Sequence, residues 1–314
     1  MRRIGRRAVT LPQCTSTWAR QTVTRAPNPT TRACREYTDL KQNLVSKMIY
    51  EQSKRTLRSV FFLLFLLVVY ASLASAGDIR VMVSGGFTAA YREIVPEFER
   101  ATHNTVATAY GASMGGAPDS IPNRLLRDEP ADVVILAAPA LDLLVSQGKV
   151  VAGSRVDLAR SKIGMAVRAG APKPDISSVD ALTRALLNAK SIAYSASGSG
   201  IYLSTELFQR LGIAQQVLQK SKRIENQEGV GPVVARGDAE IGFQQVSELL
   251  PVTGIDYVGP LPDTVQQITV FSAGIATHAK NLQAAKVLIQ YLAAPDVAAT
   301  IRKTGLEPLA TARK

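Results

Sequence analysis

Two stretches of small residues hold the side chains best suited to chemistry. Gly111-Ala112-Ser113-Met114-Gly115 has the G-x-S-x-G spacing of a nucleophile elbow, and Ser195-Ala196-Ser197-Gly198-Ser199-Gly200 is a second loop of hydroxyls and glycines. Such loops support two kinds of chemistry. A serine on a strained turn can attack an acyl group when a histidine and oxyanion donors are placed beside it. Alternatively, backbone N–H groups uncovered by bulky side chains, helped by serine hydroxyls, can hold an anion without any cation. The first option needs a histidine, and the only two, His103 and His278, sit in polar surroundings. The second needs only what the loops contain. Gln227 to Gly231 reads as a third such loop. Clustered His, Cys or carboxylates of metal-binding spacing are absent from the sequence, as are a phosphate-binding P-loop and a dinucleotide fingerprint. No metal or cofactor is therefore expected.

The elements that must carry these loops alternate in type. Asp78–Val83, Val106–Tyr110 and Asp132–Ala137 are apolar or β-favouring runs. Each is followed by a small-residue break and a helical pattern, the first with Phe87, Tyr91, Ile94 and Phe98 on one face. Pro96 falls inside that pattern and predicts a kink or an early stop. Further strands are expected at Ile163–Val167, Ser191–Tyr194, Glu240–Gln244 and Thr269–Ile275. Ser177–Asp180 reads as a capping box, and Asn281 and Pro295 open the last helices. The alternation predicts α/β architecture, with loops at the carboxyl edge of each sheet, where open α/β sheets bind ligands.

The formal charge of +12 is unevenly distributed. Residues 1–76 carry 13 basic against three acidic side chains, leaving 24 against 22 in the body, so no nucleic-acid partner is expected. Both cysteines and the only tryptophan also lie in the leading segment. Within it, Lys54, Arg55 and Arg58 precede the apolar run Val60–Tyr70, and Ala74-Ser75-Ala76 follows. That order predicts a secretory signal peptide over 48–76 ending at Ala76, with Met48 as the expected start and 1–47 expected to be a disordered or non-native extension. A transmembrane anchor and an organelle-targeting extension are the rival readings of this segment.

Beyond these patterns, VSGGFTAAYREIVPEFERAT, AYGAS, EPADVVILAAPALDLLVSQGKV, SGIYLSTELFQRLGI, AEIGFQQVSELLP and AKNLQAAKVLIQYLAAPDV together resemble the periplasmic solute-binding proteins of bacterial ABC importers, nearest the molybdate-binding family. The resemblance implies a two-lobed type II periplasmic-binding fold, each lobe a mostly parallel sheet flanked by helices. Lobe I would be 77–160 plus 257–314, and lobe II 161–256. It implies an exported, monomeric, non-enzymatic protein that captures molybdate, tungstate or another small oxyanion or carboxylate and delivers it to a membrane permease. By position, the implied ligand contacts are Ser84, Gly85, Gly86, Ser113, Ser197, Ser199, Val230 and Gln245. Gly86 and Gln245 stand where the family has serine and tyrosine. The alternatives from other classes are a secreted serine hydrolase using Ser113 and an orphan sensor on the same fold.

Overall fold

The computed structural model describes residues 77–225 and 228–309. The expected signal peptide and the extension before it lie outside those residues. In chain order the elements are β1 (Asp78–Ser84), α1 (Gly85–Thr102), β2 (Thr105–Gly111), α2 (Ile121–Leu126), β3 (Val133–Ala137), α3 (Ala138–Ser146), β4 (Val156–Ser161) and β5 (Ile163–Arg168). There follow α4 (Val179–Asn188), β6 (Ile192–Ser195), and α5 (Gly198–Tyr202), which continues through a π-helical turn, Leu203–Leu207, into Phe208–Arg210. The chain ends with α6 (Ala214–Leu218), β7 (Ser221–Ile224), α7 (Val230–Ala235), β8 (Ile241–Gln245), α8 (Val246–Leu249), β9 (Ile255–Pro260), β10 (Thr269–Ile275), α9 (Leu282–Leu292), α10 (Ala298–Lys303) and β11 (Glu307–Pro308).

The strands form two sheets, ordered β11-β4-β10-β3-β1-β2 and β7-β6-β8-β5-β9. Period-2 patterning makes each sheet two-sided. Ile79, Val81 and Val83 of β1 pack with Phe87, Tyr91, Ile94 and Phe98 of α1 and with Leu288 and Leu292 of α9. Met82 between them joins Val134, Leu136, Leu141 and Leu144 on the opposite face. In the second sheet Ile163, Met165, Ile192, Tyr194 and Phe243 meet Leu182, Leu186, Leu203 and Phe208, while Ala193 faces Val230, Val233 and Val234 of α7. Each fully buried large side chain contributes roughly 1.5–3 kcal/mol, so the two cores hold the strand ends rigidly where the loops leave them.

Four expectations need adjustment. The sheets are mixed: β1 pairs in parallel with β2 and β3, and β6 with β7 and β8, but β10 and β5 run antiparallel to both their neighbours. Those two are the strands met where the chain passes between sheets, and passing over reverses their direction. Next, β9 pairs with β5, so the return to the first sheet follows Pro260 instead of falling at Tyr257. Finally, α1 runs unbroken through Pro96, which lies on its exposed face, and the cap of α4 is Ser178, whose Oγ accepts the Ala181 N–H at 3.1 Å.

The two crossings lie side by side. One is the single residue Lys162 between β4 and β5; the other spans 261–268. Gln266 ties them together: its Oε1 accepts the Ile163 N–H at 2.9 Å and its Nε2 donates to the Ile163 and Leu261 carbonyls at 3.0 and 3.3 Å.

Candidate functional site

Four strands end and four helices or loops begin around one cleft of about 570 Å³, within the range of small-molecule sites. From the first sheet, β1 delivers Ser84 and the start of the 18-residue α1, and β2 delivers Gly111 to Gly115. From the second, β6 delivers Ser195 to Ser199 and β8 delivers Gln244 and Gln245. The first turn of α1 offers N–H groups with no helical partner and the positive end of a long helix.

Of the eight residues expected from sequence, Ser84, Gly85, Gly86, Ser113, Ser197, Ser199 and Gln245 line the cleft. Val230 does not: it is fully buried, and its N–H donates to Gln244 Oε1 at 2.8 Å, so it has no donor to spare. Ser113 Oγ accepts the Ala137 N–H at 2.9 Å, which leaves its own O–H to donate. Ser195 and Ser199 share a hydroxyl–hydroxyl bond of 3.1 Å. Ser84 Oγ and Gln245 Oε1 are buried without a hydrogen-bond partner in the protein. An unmatched buried polar atom costs about 1–3 kcal/mol, and here one such atom comes from the end of a strand in each sheet. Neither His103 nor His278 lines the cleft, so no histidine stands beside Ser113 to complete a Ser–His pair.

The glycines are placed by approach of neighbouring atoms. A side chain at Gly85 would collide with Oε1 of Glu248, and one at Gly86 with the ring of Phe271. Across the cleft, Gly115, at φ +104°, brings the two rims together, because a Cβ there would lie 2.9 Å from the Ala196 carbonyl oxygen. At Gly200 a Cβ would overlap the Ser195 carbonyl. Gly200→Ala should therefore displace the start of α5 from the end of β6, lowering stability by about 1–3 kcal/mol or more. A chemical denaturation midpoint matching the unmodified protein would refute this.

Sequence reasoning passed over the most unusual group in the cleft. Glu248 is the third residue of α8, the position from which a glutamate reaches back to the N–H of the capping residue, here Gln245. Its Oε1 also accepts from Gln244 Nε2 at 2.9 Å. Burial nonetheless pushes its carboxyl up to about 7 against the lowering effect of those donors, because the site withholds the water that would solvate the charge. The other cleft acids are neutralised or engaged: Glu225 pairs with Arg223, Glu228 with Arg236 and Glu93 with Lys303, and Asp119 has a partner of its own. Among the described residues no cation pairs with Glu248. The signal available in the sequence was an acidic residue one turn into a helix that follows a buried strand end. Arg92 was also missed. It is the only cation lining the cleft among the described residues, and its guanidinium lies 4.6 Å from the centre of the Tyr110 ring while Nε donates to the Tyr110 hydroxyl at 3.2 Å.

A family model described as bacterial extracellular solute-binding protein matches residues 79–307. The chain belongs to that family. Its fold is likewise that of the periplasmic molybdate-binding protein of Azotobacter vinelandii, which superposes with a TM-score of 0.60 at 19% identity over 73% of this chain and 98% of that one. In sequence, the chain is 28% identical to the molybdate-binding protein ModA of the same organism over 251 residues, 75% of this chain and 92% of that protein. It is 48% identical over 231 residues, 74% of this chain and 88% of the other, to a protein of Pseudomonas sp named Aconitate isomerase.

That last relative corrects one expectation from sequence. A protein similar to an enzyme across most of both chains cannot be set down as non-enzymatic on the strength of its solute-binding fold. The physical reason the expectation failed is local. The family pattern directed attention to hydroxyls and N–H groups, the donors of an anion site, and passed over Glu248, a carboxyl beside amide donors with no motif around it.

Proposed function

We propose that this solute-binding-family protein is an isomerase acting on aconitate or a closely similar unsaturated tricarboxylate, with Glu248 as the general base. The observation that carries the reading is Glu248 itself: a half-buried carboxyl on the cleft wall, held by two N–H donors, unpaired with any cation among the described residues, and poised near neutral pH. A base with a pKa near the working pH is best placed to take and return a proton. The relative named Aconitate isomerase supplies the substrate class.

The chemistry follows from the substrate. Aconitate carries a methylene group next to its double bond and a carboxylate on each of three carbons. Glu248 removes one methylene proton, breaking that C–H bond; the electron pair spreads over the allylic carbons and the adjacent carboxylate. The same proton returns to the former vinylic carbon, which becomes the methylene, and the double bond has moved. Rotation of the methylene arm before proton removal decides whether the new double bond is cis or trans. Negative charge that accumulates on the carboxylate meets the Ser113 hydroxyl and the N–H groups at the start of α1, donors fixed before the charge develops. Arg92 is suited to a further carboxylate near the rim.

The test is direct. Purified protein incubated with trans-aconitate in deuterated water should yield cis-aconitate by proton NMR; no interconversion in either direction would sink the reading. Arg92→Leu should weaken tricarboxylate binding by about tenfold or more, the loss of one charge-assisted contact of about 1.5–3 kcal/mol, while a monocarboxylate analogue binds unchanged. Calorimetry that finds both ligands equally affected would remove Arg92 from the site.

A second reading retains the family role: capture of a small anion for an ABC permease. The family membership favours it, as do the paired crossings held by Gln266 and the rim contact at Gly115, which suit two lobes closing about a hinge on a ligand. Lobe I is then 77–161 plus the segment from β10 onward. In this reading Ser84, Ser113, Ser199 and the N–H groups of Gly85 and Gly86 hold an oxyanion such as molybdate. An ionised Glu248 beside a dianion opposes it, and calorimetry with molybdate and with aconitate separates the two.

A further inference from the structure

The geometry points to Gln244 as a positioning residue that occupies one oxygen of Glu248, Oε1, and so leaves Oε2 as the oxygen that takes and returns the proton. This rests on the reading of Glu248 as the base. The argument starts from a group that has no choice. The Val230 N–H, at the start of α7, can only donate, and it points at the Gln244 side chain from 2.8 Å. The atom it meets must therefore be the amide oxygen, which fixes the orientation of the whole amide. The Gln244 NH₂ is then turned toward Glu248, with Nε2 2.9 Å from Oε1. An NH₂ group also can only donate, so Oε1 remains an acceptor in both protonation states of Glu248. A proton placed on Oε1 toward Gln244 would face another hydrogen.

Packing agrees with this assignment. Oε1 is the atom that a side chain at Gly85 would strike, so it is the oxygen pressed against the backbone of α1. Gln244 is itself buried, and its amide lies against Gly229, where a Cβ would be 3.5 Å from both Nε2 and Oε1. It is thus clamped from two sides between the start of α7 and the carboxyl it orients. The arrangement also links the cleft segment Glu228–Gly229 to Glu248 through one side chain. The charged groups on the surrounding elements do not take over this task. Arg92 and Glu93 of α1 are engaged by Tyr110 and Lys303, Glu228 by Arg236 and Glu225 by Arg223, and Asp119 has its own partner.

The experiment reads the titration of Glu248 without substrate, by carboxyl-carbon NMR of the labelled protein, its signal assigned by its absence in Glu248→Gln. Gln244→Leu removes the donor and should move the midpoint upward by about one unit, the effect of losing one charge-assisted hydrogen bond. Gln244→Glu keeps the size of the side chain and an acceptor for Val230, so it guards against a failure of the leucine variant to fold. It sets a second carboxyl against Oε1 and should move the midpoint further still. The pH profile of isomerisation should follow the same order. A midpoint unmoved in whichever variants fold overturns the inference. A midpoint that shifts in a protein with no isomerase activity leaves the positioning of Glu248 standing and removes the catalytic reading instead.

Discussion

Replacing Glu248 by glutamine should lower the turnover of aconitate isomerisation by roughly a hundred- to ten-thousand-fold, the span that a positioned general base contributes. Substrate binding should survive. Glutamine has the same shape, and its side-chain oxygen can still accept from Gln244 Nε2 in place of Glu248 Oε1. The loss should therefore appear in kcat, with KM changed little, the pattern of an interaction made in the transition state. In the unmodified protein kcat/KM should rise with pH through about 7 and then level off, because only the ionised carboxylate can accept the methylene proton. The residual rate of Glu248→Gln should lack that limb. A variant that keeps the full rate, or the same pH profile, would show that the proton goes elsewhere.

The scaffold of the cleft was legible because it is repetitive. Period-2 apolar strands such as Ile79, Val81 and Val83, and the helical spacing of Phe87, Tyr91, Ile94 and Phe98, are dictated by burial on both sides of a sheet. The small-residue loops at Gly111–Gly116 and Ser195–Gly200 announced the cleft for a steric reason: a side chain at Gly111, Gly115 or Gly200 would strike neighbouring backbone. What escaped was whatever depends on a partner distant in sequence. The strand Ile255–Pro260 was not among the expected strands, because its glycine and proline interrupt a run whose partner, β5, lies about 90 residues earlier. The N–H of Val230 looked available because nothing local reveals that Gln244, 14 residues on, accepts it. Glu248 drew no notice because no motif surrounds it in the sequence. Its character comes from Gly85, at the start of α1, closing over it, a contact between residues far apart in the chain.

The same burial should be visible in the stability of the protein, with no substrate present. Glu248 binds its proton up to about pH 7 in the folded state but only up to its ordinary value of 4.5 when unfolded. Below 4.5 the carboxyl is protonated in both states and costs nothing. Between 4.5 and about 7 the folded state holds the additional proton, so stability falls as pH rises. Above 7 both states are ionised and the full cost of a charge in the cleft wall persists. Glutamine carries no charge at any of these values. Glu248→Gln should therefore match the parent near pH 4 and exceed it at pH 8, by about 1–3 kcal/mol on a scale of 1.36 kcal/mol per unit. The lower figure reflects the opening of the carboxyl onto the cleft. Urea midpoints for both proteins at the two pH values measure the difference. A gap that stays constant with pH would mean that Glu248 ionises as freely when folded as when unfolded. A gap that opens between pH 4.5 and about 7 and then holds would mean that the cleft wall keeps a carboxyl whose ionisation costs the folded protein stability, as the proposed general base requires.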